Sequence, residues 1–192
     1  MNVFLPELLN AAAAIFVRAG QLPAETLRSA AGATWVPAEL KESLDRMLAA
    51  NREDLAVAYA DHFLVSQAHP LLYLEASVHR TGLLRDPELL EELELIYAVL
   101  GFTLPEGRSP DHLATELEAL AAGLHCLGAV GEGDRGPLIH ALNALMDQHL
   151  HPLLMELKAK AATRQMHPAY AEALAAASVA EELARSGLQT FA

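Results

Sequence analysis

Leucine and alanine recur every three or four residues along most of the chain, which is the spacing of an α-helix with one buried face. The segment after Ser109 is typical, because its leucines fall on one stripe of a helix: Leu113, Leu117, Leu120 and Leu124. Both residue types are strong helix formers, and alternating runs of β-branched and aromatic residues, which would indicate strands, are hard to find. The sequence therefore predicts an all-α protein.

Glycine and proline divide this pattern into about eight helices. The 192 residues contain no long polar or low-complexity interval, so we expect a single compact domain over residues 1–192 with a substantial core. The predicted helices run from Pro6 to about Arg18, from about Pro23, through Leu40 to Leu48, from Asn51 as N-cap, from Asp86 to Gly101, from Ser109, from Pro137 to about Ala162 with a bend at Pro152, and from Pro168 to about Arg185.

Three segments interrupt the helical pattern. Trp35 precedes Pro37 and is predicted to cover the start of the third helix. Residues 71–82 fit a short helix and a loop equally well. Residues 128–136 are rich in glycine and predict a flexible connection, and a hinge across which the C-terminal helices could exchange between two chains. Monomer and homodimer therefore both stay open.

The charge balance and the first residues of the chain limit its partners and location. The formal net charge of −12 argues against a nucleic-acid surface and favours basic ligands, unless it is only a solvated acidic surface. Pro6 and Glu7 interrupt the first apolar run and no basic residue precedes Arg18, so we expect neither a secretory signal nor a membrane span, and a cytoplasmic protein. Cys126 is the only cysteine, and its apolar neighbours predict a buried thiol.

Familiar catalytic and metal-binding patterns are missing. Nine histidines suggest a metal site, but the chain has no Glu-x-x-His or His-Glu-x-x-His pair. Within the cluster of Asp147, His149 and His151, only Asp147 and His151 have a spacing that could share a ligand. Gly131-x-Gly133 lies between predicted helices, so it does not indicate a dinucleotide site, and there is no nucleophile elbow. We therefore expect no catalysis, no metal and no cofactor, and a histidine-based metal enzyme is the weakest alternative.

The start of the helix after Ser109 carries an unusual polar cluster. Ser109 is predicted as the N-cap and Pro110 as the first helical residue, with Asp111 beside the free backbone amides. His112 and Glu116 are four residues apart and therefore neighbours on a helix surface. This spacing predicts an exposed patch of acid and imidazole beside an apolar floor. The alternative is a capped helix whose first turn is merely solvated.

Read together, these motifs resemble the TorD/DmsD/NarJ family of redox-enzyme maturation chaperones. Pro110-Asp111-His112-Leu113 with Glu116-Leu117 matches the central signature of the family closely. The further matches, in chain order, are Tyr59-Ala60-Asp61-His62-Phe63 with His62 in a leucine place, a loose version of a Pro-Pro-Tyr-Glu-Ser segment at Pro70, Tyr73, Glu75 and Ser77, Tyr97-x-x-x-Gly101, and Leu145 to Leu150 with Leu153 in an aromatic place.

The resemblance implies an all-helical, non-enzymatic chaperone. Its client would be a molybdenum-cofactor oxidoreductase subunit of the DMSO, TMAO or nitrate reductase type, bound through its twin-arginine signal peptide during cofactor insertion, folding and export. The implied peptide-binding residues are Tyr59, His62, Phe63, Tyr97, Gly101, Pro110, Asp111, His112 and Glu116, with Asp111 and Glu116 as partners of the peptide arginines. The alternative function is a helical adaptor or regulatory protein that binds an unrelated amphipathic segment.

Overall fold

Nine helices and no strand form the described part of the chain, which in this computed structural model comprises residues 5–17, 23–34, 36–64 and 72–191. The helices are α1 (Leu5–Ile15), α2 (Ala24–Gly32), α3 (Ala38–Leu48), α4 (Arg52–Phe63), α5 (Ala76–Arg80), α6 (Pro87–Leu100), α7 (Leu113–Ala129), α8 (Arg135–Ala144, Leu145–Leu150 and His151–Thr163 in direct succession) and α9 (Pro168–Leu188). The all-α prediction is confirmed. The segment left open between helix and loop contributes the short helix α5, and Trp35 and Pro70 lie outside the described residues.

Helix α7 lies at the centre of the fold. Its sequence is apolar on nearly every side, which is typical of a helix surrounded by others, and it packs against α1, α6 and α8. A Cβ atom at Gly123 would lie 2.7 Å from Leu142 Cδ2 and 2.8 Å from Leu100 Cδ2. Glycine at this position therefore lets α6 and α8 approach α7 closely. Helix α9 closes the core against α1, α3 and α8.

Several helix ends follow the predicted local chemistry. The Asn51 side chain accepts a hydrogen bond from the Glu53 backbone N–H at the start of α4. The Asp86 side chain likewise accepts hydrogen bonds from the Glu88 and Leu89 backbone N–H groups at the start of α6, immediately before Pro87. Gly101 ends α6 with φ of 69°, a conformation that costs glycine little and other residues more.

The glycine-rich connection between α7 and α8 is short and mostly helical, and its predicted flexibility and hinge stay predictions. Helix α7 continues through Gly128 to Ala129, a 3₁₀ turn spans Glu132–Asp134, and α8 begins at Arg135. The glycines at 131, 133 and 136 have open space around them, and they join two helices rather than a strand and a helix. They therefore do not form a dinucleotide-binding turn.

Helix α8 changes its winding where the sequence predicted a bend. Proline at 152 has no N–H to donate, and its ring would clash with the carbonyl four residues earlier in a regular α-helix. The six residues Leu145–Leu150 adopt the wider π-helical form immediately before it. No helix among the described residues is both long and apolar enough to cross a membrane.

Candidate functional site

The polar motif before α7 does not cap the helix in the way the sequence predicted. Helix α7 begins at Leu113, and its N-cap is His112, whose Nδ1 accepts a hydrogen bond of 3.1 Å from the Ala114 backbone N–H. The Ser109 hydroxyl instead donates to Asp111 Oδ1 at 2.5 Å. Pro110 lies in the preceding turn, and its carbonyl accepts a 2.6 Å hydrogen bond from the Tyr97 hydroxyl. The helix starts later because Asp111 turns inward to a partner distant in sequence.

Asp111 is fully buried and joins the start of α7 to the start of α5. Its Oδ2 accepts hydrogen bonds from the Ser77 backbone N–H at 2.9 Å and from the Ser77 hydroxyl at 2.5 Å. Its carbonyl accepts from the Ala76 N–H at 2.9 Å, and the Leu113 N–H donates to the Leu74 carbonyl at 2.8 Å. The prediction that Asp111 is presented on the surface is therefore wrong. Its contact with a peptide stays a prediction.

Glu116 is also fully buried, although the sequence placed it on the surface. Neither of its carboxyl oxygens has a hydrogen-bond partner in the part of the chain that the structure describes. Burial raises the pKa of Glu116 well above its ordinary value, and the nearby charge of Asp111 raises this pKa further, against the opposing effect of Arg80. The error arose because the first turn of α7 is buried on every side, although later residues of the helix, such as His125, reach the surface.

The His112 ring is held in its neutral form at the surface of a cleft. Burial lowers the pKa of His112 to about 4, and the charge of Arg108 lowers it too, while Asp111 acts in the opposite direction. The N-cap also requires an unprotonated Nδ1, because this atom accepts the hydrogen bond from the Ala114 N–H. His112 is therefore a polar, uncharged contact for any ligand in the cleft.

This cleft has a volume of about 400 Å³ and brings three of the nine predicted site residues together: Tyr59, Phe63 and His112. It lies between the end of α1, α4, the segment leading to α6 and the loop before α7. Tyr73 adds aromatic surface, Phe16 belongs to the lining although its side chain is fully buried, and Leu84 lies on the rim of the cleft with 64% of its surface exposed.

The aromatic wall of the cleft is held rigidly. The Phe63 ring lies 5.4 Å from Tyr59, 5.1 Å from Tyr170 and 6.1 Å from Phe16, measured between centroids. The Tyr59 hydroxyl donates to the Phe16 carbonyl at 3.1 Å, and burial raises the Tyr59 pKa. These contacts join α4 to α1 and α9, so three helices hold the wall in place.

The other six predicted residues do not line the cleft. His62 Nε2 accepts a 2.9 Å hydrogen bond from the His167 N–H, and burial lowers the His62 pKa. Tyr97, Pro110, Asp111 and Glu116 form the buried support behind the loop. Gly101 lines a separate groove between α1 and α7, next to Cys126, which is half-buried rather than buried as predicted.

The charged residues of the cleft are Glu75, Arg85 and Arg108, and none of them is among the nine predicted site residues. Glu75 was visible only as part of a loose motif. The Arg108 Nη1 pairs with Glu118 Oε2 at 2.6 Å, a contact across ten residues that no local pattern predicts. Glu75 is the only acid among these three residues, and burial raises its pKa.

The residues considered for a metal site contact other charged side chains. Asp147 pairs with Arg185, which also pairs with the buried Glu181, and His151 Nδ1 lies 3.2 Å from Glu181. The described residues contain no group of three or more His, Cys, Asp or Glu side chains placed to hold a metal ion.

Comparison with known families agrees with the motifs. The profile of the family described as nitrate reductase delta subunit matches residues 28–159, which is more than half of the chain and includes α3 to α7 and most of α8. Individually curated proteins give no match. The matched range holds the loop before α7 and most of the cleft, whereas Phe16 and Tyr170 lie outside it. The chain therefore belongs to the nitrate reductase delta subunit family of NarJ/TorD-type chaperones, which mature molybdoenzymes and are not catalysts.

Proposed function

We propose that this chaperone binds the twin-arginine signal peptide of a molybdenum-cofactor oxidoreductase subunit and holds the apolar run of that peptide in the cleft between α1, α4 and the loop before α7. The observation that carries the proposal is the aromatic wall of Tyr59 and Phe63 beside His112, in the part of the chain that matches the family. Bound in this way, the client would be kept from export while its cofactor is inserted and its fold completed.

Apolar contact supplies the attraction in this proposal. A client segment that enters the cleft would cover aromatic surface and the exposed side chain of Leu84, and burial contributes about 25 cal/mol for each Å² of apolar surface. Ordering the peptide opposes binding, so we expect a modest affinity.

The two arginines of the peptide would lie outside the cleft. Asp111 and Glu116, the acids first considered as their partners, are both buried, and the cleft itself presents Arg85 and Arg108. The net charge of −12 would attract the basic end of the peptide to the surrounding surface without a single fixed partner. This attraction would be screened by salt.

Calorimetric titration with synthetic signal peptides tests this arrangement. The peptides would represent the molybdoenzyme subunits encoded in the same genome, each in three forms: unchanged, with both arginines replaced by glutamine, and with the central apolar residues replaced by serine. At about 150 mM salt we expect saturable binding, a loss of about threefold for the glutamine form and loss of binding for the serine form. An unrelated amphipathic peptide that binds as well would favour the adaptor alternative, and no binding by any signal peptide would refute the proposed site.

Leu84→Ala is expected to weaken signal-peptide binding about fivefold, which corresponds to about 1 kcal/mol of lost apolar contact. Leu95→Ala is the matched control, because Leu95 is 66% exposed against 64% for Leu84 but lies on α6 away from the cleft lining. Both variants should unfold like the parent protein in urea, since neither residue is buried. Equal affinities for the two variants would place the peptide elsewhere.

A further inference from the structure

The cleft has a charge balance opposite to that of the whole protein. The chain carries a net charge of −12, yet the charged side chains that line the cleft are two arginines and one glutamate. Burial raises the pKa of that glutamate, Glu75, and the lining imidazole of His112 is neutral. Two of the three charged side chains in the lining are therefore cations, although the whole chain is acidic, and cations attract a negative group.

The Arg108 guanidinium is held in position by Glu118, a residue outside the cleft. Its Nη1 donates to Glu118 Oε2 at 2.6 Å, and the two side chains are 25% and 22% exposed. The bond fixes the guanidinium while using one of its several N–H groups, and Glu118 does not line the cleft. The Arg108 charge acts inside the cleft, since it lowers the pKa of His112 and opposes the rise in the pKa of Tyr59.

Arg85 is the second cation, and it lies in the exposed segment between α5 and α6. It makes no ion pair or side-chain hydrogen bond with any residue in the described ranges. The neighbouring carboxylate of Asp86 is not its partner, because it accepts hydrogen bonds from the Glu88 and Leu89 N–H groups as the cap of α6. Arg85 is thus free to pair with a ligand.

We infer that the cleft recognises a carboxylate side chain within the apolar client segment, and that this carboxylate pairs with Arg108 and Arg85. The inference rests on the proposed function, because it describes the chemistry of the same client segment. Guanidinium and carboxylate form short, charge-assisted hydrogen bonds, which are stronger in a partly buried cleft than on an open surface. An aspartate or glutamate of the client would therefore fix the register of the apolar segment along the aromatic wall.

The test uses the full-length chaperone and the signal peptide that binds it, prepared with an amidated C-terminus so that its only carboxylates are side chains. Each Asp or Glu of the peptide is replaced in turn by Asn or Gln, and each peptide is titrated against Arg85→Gln and Arg108→Gln. Arg28→Gln, an exposed arginine on α2 that does not line the cleft, is the control. We expect one peptide replacement to weaken binding about tenfold to the parent protein.

The same peptide replacement should weaken binding to the Arg108→Gln protein by less than about twofold, because the arginine that pairs with the carboxylate is already absent. Arg85→Gln should weaken binding of the unchanged peptide about threefold, and Arg28→Gln should not. The inference would be overturned if the peptide replacement weakened binding equally in the parent and Arg108→Gln proteins, or if a peptide without any carboxylate bound tightly. The proposed function would stand in both cases. No binding by any signal peptide would overturn both.

Discussion

Asp111→Ala is expected to lower the free energy of unfolding by about 3 kcal/mol, one of the largest effects available in this chain. The carboxylate is fully buried and accepts hydrogen bonds from the Ser77 N–H, the Ser77 hydroxyl and the Ser109 hydroxyl. Alanine would leave the Ser77 donors without an acceptor, and a buried donor without a partner costs more than a bond is worth. Urea unfolding followed by circular dichroism measures the loss.

Ser109→Ala is the control, because it removes one of these bonds and leaves the two from Ser77 in place. It should cost about 1 kcal/mol. If Asp111→Ala were as stable as the parent but failed to bind signal peptide, then Asp111 would be a ligand contact rather than a support of the cleft. The two readings are thus separated by measuring stability and binding on the same variant.

The local features of the fold were predictable because their causes are local. Asp86 and Gly101 bound α6 as expected, since a cap and a left-handed turn depend on residues within one helical turn. The flexibility of the glycine-rich segment between α7 and α8 stays a prediction, because glycine permits flexibility without requiring it.

The start of α7, by contrast, was predicted wrongly. The sequence around Ser109 resembles a good helix cap, but Asp111 is drawn inward by Ser77, which lies 34 residues earlier. A contact of this kind depends on tertiary structure and has no signature in the local pattern. The same holds for Glu116, whose burial follows from the helices around α7 rather than from its neighbours in sequence.

The candidate site was predictable only in part. The motifs identified Tyr59, Phe63 and His112, which share the cleft. Its aromatic wall also depends on Phe16 and Tyr170, which come from opposite ends of the chain and have no common motif.

Glu116→Gln is expected to remove a large part of the pH dependence of stability. Burial and the charge of Asp111 raise the pKa of Glu116 in the folded protein, whereas the unfolded chain has the ordinary value near 4.5. Between these two pKa values the folded protein holds a proton that the unfolded chain has released. Stability from this group is therefore complete below about pH 4.5 and falls as pH rises, by up to about 1.4 kcal/mol for each pH unit.

Glutamine has the shape of the protonated acid and cannot ionise, so the variant should match the parent near pH 4.5 and exceed it in stability at pH 7 to 8. Urea unfolding of both proteins at intervals across this range gives the difference curve, and Glu91→Gln, an exposed residue of α6, supplies the control for lost surface charge. Parallel curves for Glu116→Gln and the parent would mean that Glu116 is ionised in the folded protein. An ionised Glu116 would need a cation nearby. Arg80 is the candidate, because its charge already opposes the rise in the Glu116 pKa, and substitution of Arg80 would test it.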